Sequence, residues 1–467
     1  MFQTLKNAWK TPELKSKILF TLMIIILYRL GSNIPMPWVA AGALEETIFT
    51  ASGSALTWWN TLSGGALAQG TLFALSVSPY ITASIVIQLL TIAIPKLEEW
   101  AKEGEAGKKK LSALTRGLTV VLALVTAIGY TMLMRNYGVL NSAGWTKGQS
   151  IFAYIVLVLT YCAGASIIMW LAERINEHGI GNGISIILFA NIISGLPSLI
   201  GSLGALCFKR LNYVRNAEGK QVLRGLCQIF HDVENGYVWQ IIVGIVLAAV
   251  FAAIVLFAVV AVVWFSNSER RIPVQYAKRV VGRKMYGGQS TTLPIKLDMA
   301  GVMPVIFASS MVSILPTIAS FIPNTGFGKF VNNYLGPTTF PYIAMQILLI
   351  VAFAYFYISI SFNPVEVSNN LRNNGGAIPG IRPGKPTVDY IKKILNRITL
   401  LGAIFLCALS GIPMIVHAVW YAIDGVGISD LMAFSGTSLL IVVGVALETF
   451  RELEAQMTLR NYKGFLD

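Results

Sequence analysis

Few residues in this chain could do covalent or metal chemistry: three histidines, four cysteines and two glycine-rich turns. "GIGNG" (179–183) joins two apolar segments with no strand before it, so a dinucleotide-binding reading fails on context. In "GIRPGKP" (380–386) the glycine that a phosphate loop requires five residues before Gly384 is Pro379, and Pro386 replaces its Ser or Thr. The histidines are isolated, a His–Glu metalloprotease pair is absent, and the cysteines lack zinc-ligand spacing. No metal or cofactor is expected. Cys162 and Cys407 lie in apolar segments as small core residues, whereas Cys207 and Cys227 share a loop where a disulfide is permitted. What is left is cationic. The 36 Lys and Arg against 22 Asp and Glu concentrate in three loops: 95–116, 266–296 and 362–393. The second alternates basic and apolar residues, and the Gly and Pro clusters of the third force a rigid tip. Such loops anchor on anionic lipid or dock an anionic macromolecule.

The elements that carry these loops are apolar. Of 467 residues 55% are hydrophobic and 12% charged, against about 25% charged in a soluble domain. Uncharged runs long enough to cross a bilayer, which takes roughly 20 residues, recur along the whole chain. Ten spans are expected, at 18–37, 73–94, 117–134, 151–172, 184–203, 239–265, 299–319, 341–361, 398–416 and 431–447. The first has a short apolar core, Ile18 to Tyr28, so a signal peptide competes with it; "VAAGA" lies too far beyond that core for cleavage, and a retained helix is the better reading. With the amino terminus in the cytoplasm, 27 of the 36 Lys and Arg fall on the cytoplasmic side, and the carboxyl terminus joins them there. The external segment 204–238 suits a small hairpin around "AEGK".

One span raises a question. "LSGGALAQGTLFALSVSPYITASIVIQLL" (62–90) is interrupted by Gly64, Gly65, Gly70 and Pro79, although Gly and Pro weaken a helix interior by about 1 and 3 kcal/mol. It reads as a hinge followed by a kinked helix. Spans two to ten also lack ionisable side chains, apart from His417 at one edge. Ion-coupled transporters place such groups at the midplane, so a greasy conduit that resists ions by dewetting is favoured. A secondary transporter with a broken helix is the rival class, and a membrane scaffold a third.

"RLGSNIPMP", "TLSGGAL", "KEGEAGKKK", "GIGNGIS", "RRIPVQYAKR", "YGGQSTTLPIKLDMAGVMPVIFASS", "FNPVEVSNNL", "GIRPGKPT", "GTSLLIVVGVALET" and "NYKGFL" together resemble the SecY family, in its order, from Leu14 to Leu466. The resemblance implies an all-α polytopic membrane protein. Ten transmembrane helices would form two pseudo-symmetric halves, 1–203 and 239–447, around a central pore, with loop 204–238 outside and tail 448–467 in the cytoplasm. It implies a pore ring of Val77, Ile81, Ile184, Leu188, Ile306 and Ile441, and an external plug near 54–66 with Trp58, Trp59 and Asn60 and a hinge at Gly64 and Gly65. A lateral gate would run between spans two and seven, with Ser76, Thr82, Gln88 and Ser310 on its faces and Pro79 and Pro304 bending its helices. Hydroxyls there also fit bonds back to their own helix.

The docking loops, 266–298 and 362–397, would meet the ribosome, through rRNA phosphates, or the SecA ATPase, using Arg270, Arg271, Lys278, Arg279, Arg382 and Lys385. SecE, SecG, nascent polypeptides, signal sequences and membrane lipid are the other implied partners, in a bacterial plasma membrane. Trp38 stands where the family usually has glycine, Ser78 where a bulkier apolar residue is common, Thr292 where histidine is frequent, and loop 204–238 is long.

Overall fold

A computed structural model describes residues 9–39, 44, 55–140, 146–197, 213–215, 221–223, 238–276, 279–281, 284–286, 290–299, 301–322, 325–336, 339–424 and 436–463. Helices lie on all ten predicted spans: α1 (Pro12–Ser32), then, after the short α2 (Ala55–Ser63) and α3 (Ala66–Gln69), α4 (Ser78–Ala93). The surface helix α5 (Pro95–Lys102) precedes α6 (Glu105–Asn136), α7 (Lys147–His178) and α8 (Gly183–Ser194). The hairpin β1 (Tyr213–Arg215) and β2 (Gln221–Leu223) leads to α9 (Val238–Asn267). Strands β3 (Glu269–Tyr276), β4 (Arg279–Val281), β5 (Lys284–Tyr286) and β6 (Ser290–Lys296) precede α10 (Met303–Phe321). The chain finishes with α11 (Gly326–Tyr334), α12 (Phe340–Ser361), α13 (Pro364–Asn373), β7 (Gly376–Ala377), α14 (Lys385–Asp424) and α15 (Gly436–Lys463).

Among the described residues, α6 and α7 are each long and apolar enough to cross a bilayer, as are the helices beginning at Phe340 and Lys385. Their apolar side chains point outward as well as inward. Phe152 is 64% exposed and Phe340 81%, which in water would be an aggregation surface and in lipid is a matched one. This is a multi-pass membrane protein.

Several boundaries differ from expectation. The first span starts at Pro12 instead of Ile18, because proline in the first turn is preorganised for a helix. In span two the stretch before Ser78 is a series of turns, with Ser76 left-handed at φ 51°. Pro79 and Pro304 do not bend the gate helices: each sits in the first turn, where the missing N–H has no intrahelical partner to lose. The internal prolines are Pro316 in α10 and Pro413 in α14. The kink belonging to span two lies at its other end, where α4 and α5 meet at 103°.

The predicted "AEGK" hairpin is present, with Val214 opposite Val222; Cys207 and Cys227 lie outside the described residues. Trp38, at the position where the family favours glycine, has φ 65°, a left-handed conformation that costs a side-chain-bearing residue roughly 1–2 kcal/mol. Trp38→Gly is therefore expected to leave thermal stability unchanged or slightly raised, as read by scanning fluorimetry in detergent; a clear loss would mean that indole contacts outweigh the strain.

Two apolar cores organise the bundle. The larger joins side chains of α1, α4, α7, α8, α10, α12 and α15, with Leu62 of α2 and Leu406 of α14, and the smaller joins α2, α3, α6 and α7. The amino-terminal helices meet the carboxyl-terminal ones along two main seams: α4 and α6 pack on α10, and α8 packs on α15. Helix α2 touches both α8 and α10, so it sits between these two seams.

Candidate functional site

The six aliphatic ring candidates come from four separate helical segments and lie in or against one apolar cluster. Val77 is the N-cap of α4 and Ile81 its first-turn residue; Ile184 and Leu188 lie one turn apart on α8; Ile306 opens α10 and Ile441 opens α15. Five are buried in the larger core, and Ile184 packs against it half-buried. Three of the contributing helices have a defined start: a proline in the first turn of α4 and of α10, and a side-chain cap on α8. Asn182 supplies that cap by accepting the Ile184 amide at 3.1 Å.

The segment expected to be a plug contains the helix α2, and the glycine pair expected to hinge it follows that helix directly. Gly64 and Gly65 are left-handed at φ 66° and 88°, a region glycine enters without strain. The Gly65 amide bonds the Asn60 carbonyl at 2.9 Å, and the Asn60 side chain accepts from the Ala68 amide at 2.9 Å, so the reversal is a closed structure. The Trp59 indole donates to the Ser313 hydroxyl of α10 at 3.2 Å, which ties α2 to α10.

The two helices expected to form the lateral gate, α4 and α10, pack on each other. The hydroxyl of Thr82 bonds back to the Ser78 carbonyl at 3.1 Å, as a hydroxyl inside a helix usually does. Ser76, expected on a gate face, precedes the helix, and its hydroxyl crosses to the Leu62 carbonyl at 3.0 Å. Gln88 and Ser310 are half-buried. Three polar residues were missed from sequence. Asn191 on α8 is wholly buried, Gln346 on α12 bridges Ser309 and Ser410, and Arg29 donates to the Ala190 carbonyl from within α1. A lone amide in an apolar run was the available signal for the first two, and an arginine inside the first span for the third.

The two long basic loops form one body. Strand β3 pairs antiparallel with β6, setting Ile272 opposite Leu293, and β7 from the later loop adds to its other edge at Gln275 and Tyr276. Ile272, Ile295, Ile378, Ile391, Leu395 and Ile398 form its core. The basic–apolar alternation of 266–296 was a strand period. Arg270 and Arg271 are exposed, Arg271 sharing its charge with Glu269 at 2.7 Å. Arg382 and Lys385 are exposed at the tip of the later loop, where Gly380 and Gly384 are left-handed and the Thr387 hydroxyl bonds the Arg382 carbonyl at 2.9 Å. Lys385 is the first residue of α14 rather than a loop residue. Lys278 and the side chains of Trp58 and Arg279 lie outside the described residues.

Where this sheet joins the bundle, Asp298 accepts from the Ser266 hydroxyl at 3.2 Å, and Arg451 reaches the Ser266 carbonyl at 2.6 Å. Burial pushes the Asp298 carboxyl above the ordinary aspartate range, against the pull of Ser266, the Gly301 amide and the Arg451 charge. A folded-state value above the unfolded one means that its contribution is full at low pH and is lost as pH rises through the raised value. Asp298→Asn should therefore raise the unfolding temperature in detergent at pH 8, by an amount that shrinks as pH falls toward 5; an equal change at both pH values would contradict this.

The described residues thus comprise a helical membrane bundle with a large apolar core, a short helix packed on α8 and α10, and a small sheet whose surface carries arginines. The SecY family pattern matches residues 71–450. The protein translocase subunit SecY of Streptomyces coelicolor is 42% identical over 475 residues, and that of Bacillus subtilis 39% over 469, with full coverage of both chains in each case. The chain belongs to the SecY family of protein-conducting translocation channels. Its fold matches a solved protein-conducting channel with a TM-score of 0.58 at 17% identity, covering 95% of this chain and 92% of that one. It also matches Sec61 from a canine ribosome–channel complex of the endoplasmic reticulum, with a TM-score of 0.55 at 16% identity and the same coverage.

Proposed function

We propose that this chain passes unfolded secretory polypeptides through the neck formed by Val77, Ile81, Ile184, Leu188, Ile306 and Ile441, and releases signal sequences and nascent membrane helices sideways between α4 and α10. The supporting observation is the gathering of six aliphatic side chains from four spans in one core with α2 packed beside them. An apolar neck seals without binding anything. It parts for a chain because its side chains can separate, and an apolar segment of roughly 20 residues leaves sideways because lipid is its better solvent. In this reading α2 is the plug on the external side, all ten spans cross the bilayer, and 1–203 and 239–447 are the two halves.

The same reading puts the chain in a bacterial plasma membrane with both termini cytoplasmic. The sheet of β3, β6 and β7, with the Arg382 tip, then takes SecA or the ribosome, the latter by neutralising rRNA phosphates. SecE and SecG complete the channel. The test is site-specific crosslinking from Ile81 and Ile306 to a secretory precursor stalled in reconstituted vesicles. Adducts at both ring positions and none at lipid-facing Ile404 are expected. Adducts absent from the ring, or saturable uptake of a small solute by the chain alone, would overturn this function in favour of the transporter class.

A further inference from the structure

The last turn of α2 is held from outside in a way that packing alone does not require. The Leu62 carbonyl is among the helix-end acceptors that have no partner within their own helix. Two buried side chains from other elements supply its donors: the Asn191 amide of α8 at 2.7 Å and the Ser76 hydroxyl, just before α4, at 3.0 Å. Asn191 also donates to the Tyr28 hydroxyl at 2.8 Å. Its side-chain oxygen, wholly buried, is the one buried polar side-chain atom among the described residues that has no hydrogen-bond partner. Beside this point stands Arg29, whose guanidinium lies so near Gly64 that a Cβ there would be 2.8 Å from it. A cation at that place also favours the negative end of a short helix.

We infer that Asn191 and Ser76 are positioning residues that form a latch on the plug, a role that rests on α2 being the plug. With α2 seated, both donors are spent on the Leu62 carbonyl and the Asn191 oxygen goes unmet. When α2 leaves, the freed Ser76 hydroxyl, 3.5 Å from the Asn191 amide, can donate to that oxygen after the amide turns. The two side chains then satisfy each other inside an otherwise apolar neck. The closed state is held by two directional bonds at the carbonyl next to the glycine hinge, and the released state leaves no donor stranded. An apolar residue at 191 would supply neither half of this exchange.

The test is resting ion conductance of the full channel, purified with its co-purifying membrane subunits and placed in planar bilayers. Four proteins are compared: parent, Asn191→Leu, a deletion of residues 55–63, and both changes together. Asn191→Leu should raise resting conductance about tenfold, the factor carried by roughly one lost buried hydrogen bond. Added to the deletion it should change nothing, because the latch then has nothing to hold. If the deletion leaks and Asn191→Leu does not, the latch is wrong and the plug stands. If Asn191→Leu adds leak on top of the deletion, Asn191 acts through packing and the latch is again wrong. If the deletion itself fails to leak, the plug reading fails and takes the latch with it. Ser76→Ala removes the second donor at the smaller cost of one hydroxyl. It should leak in the same direction, and it decides the question should Asn191→Leu not survive purification.

Discussion

Ile81→Ser and Ile306→Ser together are expected to open the resting channel to ions, and to do so more than any other pair of changes in the bundle. Both side chains are only 4% exposed and lie on α4 and α10, which pack on each other and which the proposed function makes the gate. Burying one isoleucine side chain is worth about 1.5–3 kcal/mol, and each 1.4 kcal/mol withdrawn from the closed state raises the open fraction about tenfold. Serine also offers a hydroxyl to water, so the dry neck wets at the same time. The double variant should therefore raise resting conductance in planar bilayers by about 100-fold if the sites act independently, and less if they share one packing defect. Ile404→Ser is the control, because Ile404 is 57% exposed on the lipid side of α14. Unchanged conductance in the double variant, or equal leak in the control, would remove the neck from the argument.

The six ring candidates could be picked out of the sequence only through family resemblance. Taken singly, Val77 or Leu188 is an aliphatic residue in an aliphatic segment, and periodicity has nothing to say about which face meets which across four helices. The elements themselves were easier, since a membrane imposes a length and a polarity on whatever crosses it. The errors fell where local chemistry competes with hydropathy. Ser76 and Val77 looked helical because they lie in an uncharged run leading into a helix, but Pro79 sits in that helix's first turn and the chain before it turns through left-handed Ser76.

The same blindness hid the platform. Residues 266–296 and 362–393 read as separate basic loops, because a pairing between β3 and β7 spans about a hundred residues of intervening chain and leaves no local mark. Their apolar residues were the available signal: Ile272, Ile295 and Ile378 have no reason to recur in solvated loops unless they bury one another. Asn191 went unread for the opposite reason. A single amide in an apolar run is unremarkable until its partners are known, and those lie on α1, α2 and the turn before α4.

Arg382→Glu is expected to lower motor-driven secretion by about tenfold or more, the scale of one charge-assisted hydrogen bond lost, while membrane-protein insertion falls much less. The argument is geometric. Arg382 is held away from the bundle on a tip whose shape depends on backbone: the Thr387 hydroxyl bonds its carbonyl, the Ile381 amide bonds the Ile378 carbonyl, and the Ser368 hydroxyl bonds the Gly384 carbonyl at 3.3 Å. None of those bonds uses the guanidinium, so reversing the charge leaves the tip folded and changes only what it presents. A motor that pushes a finished chain must grip the channel through repeated cycles, and a repelled contact is lost at every cycle. A ribosome placed over the wider surface of β3 and β6 has Arg270 and other cations besides, and its attachment sums many phosphate contacts. The measurement is export of a post-translational precursor against insertion of a polytopic membrane protein in the same vesicles, with Lys147→Glu, at the far end of α7, as the neutral comparison. Equal loss of both activities would show that the arginine serves the channel as a whole instead of its coupling to the motor.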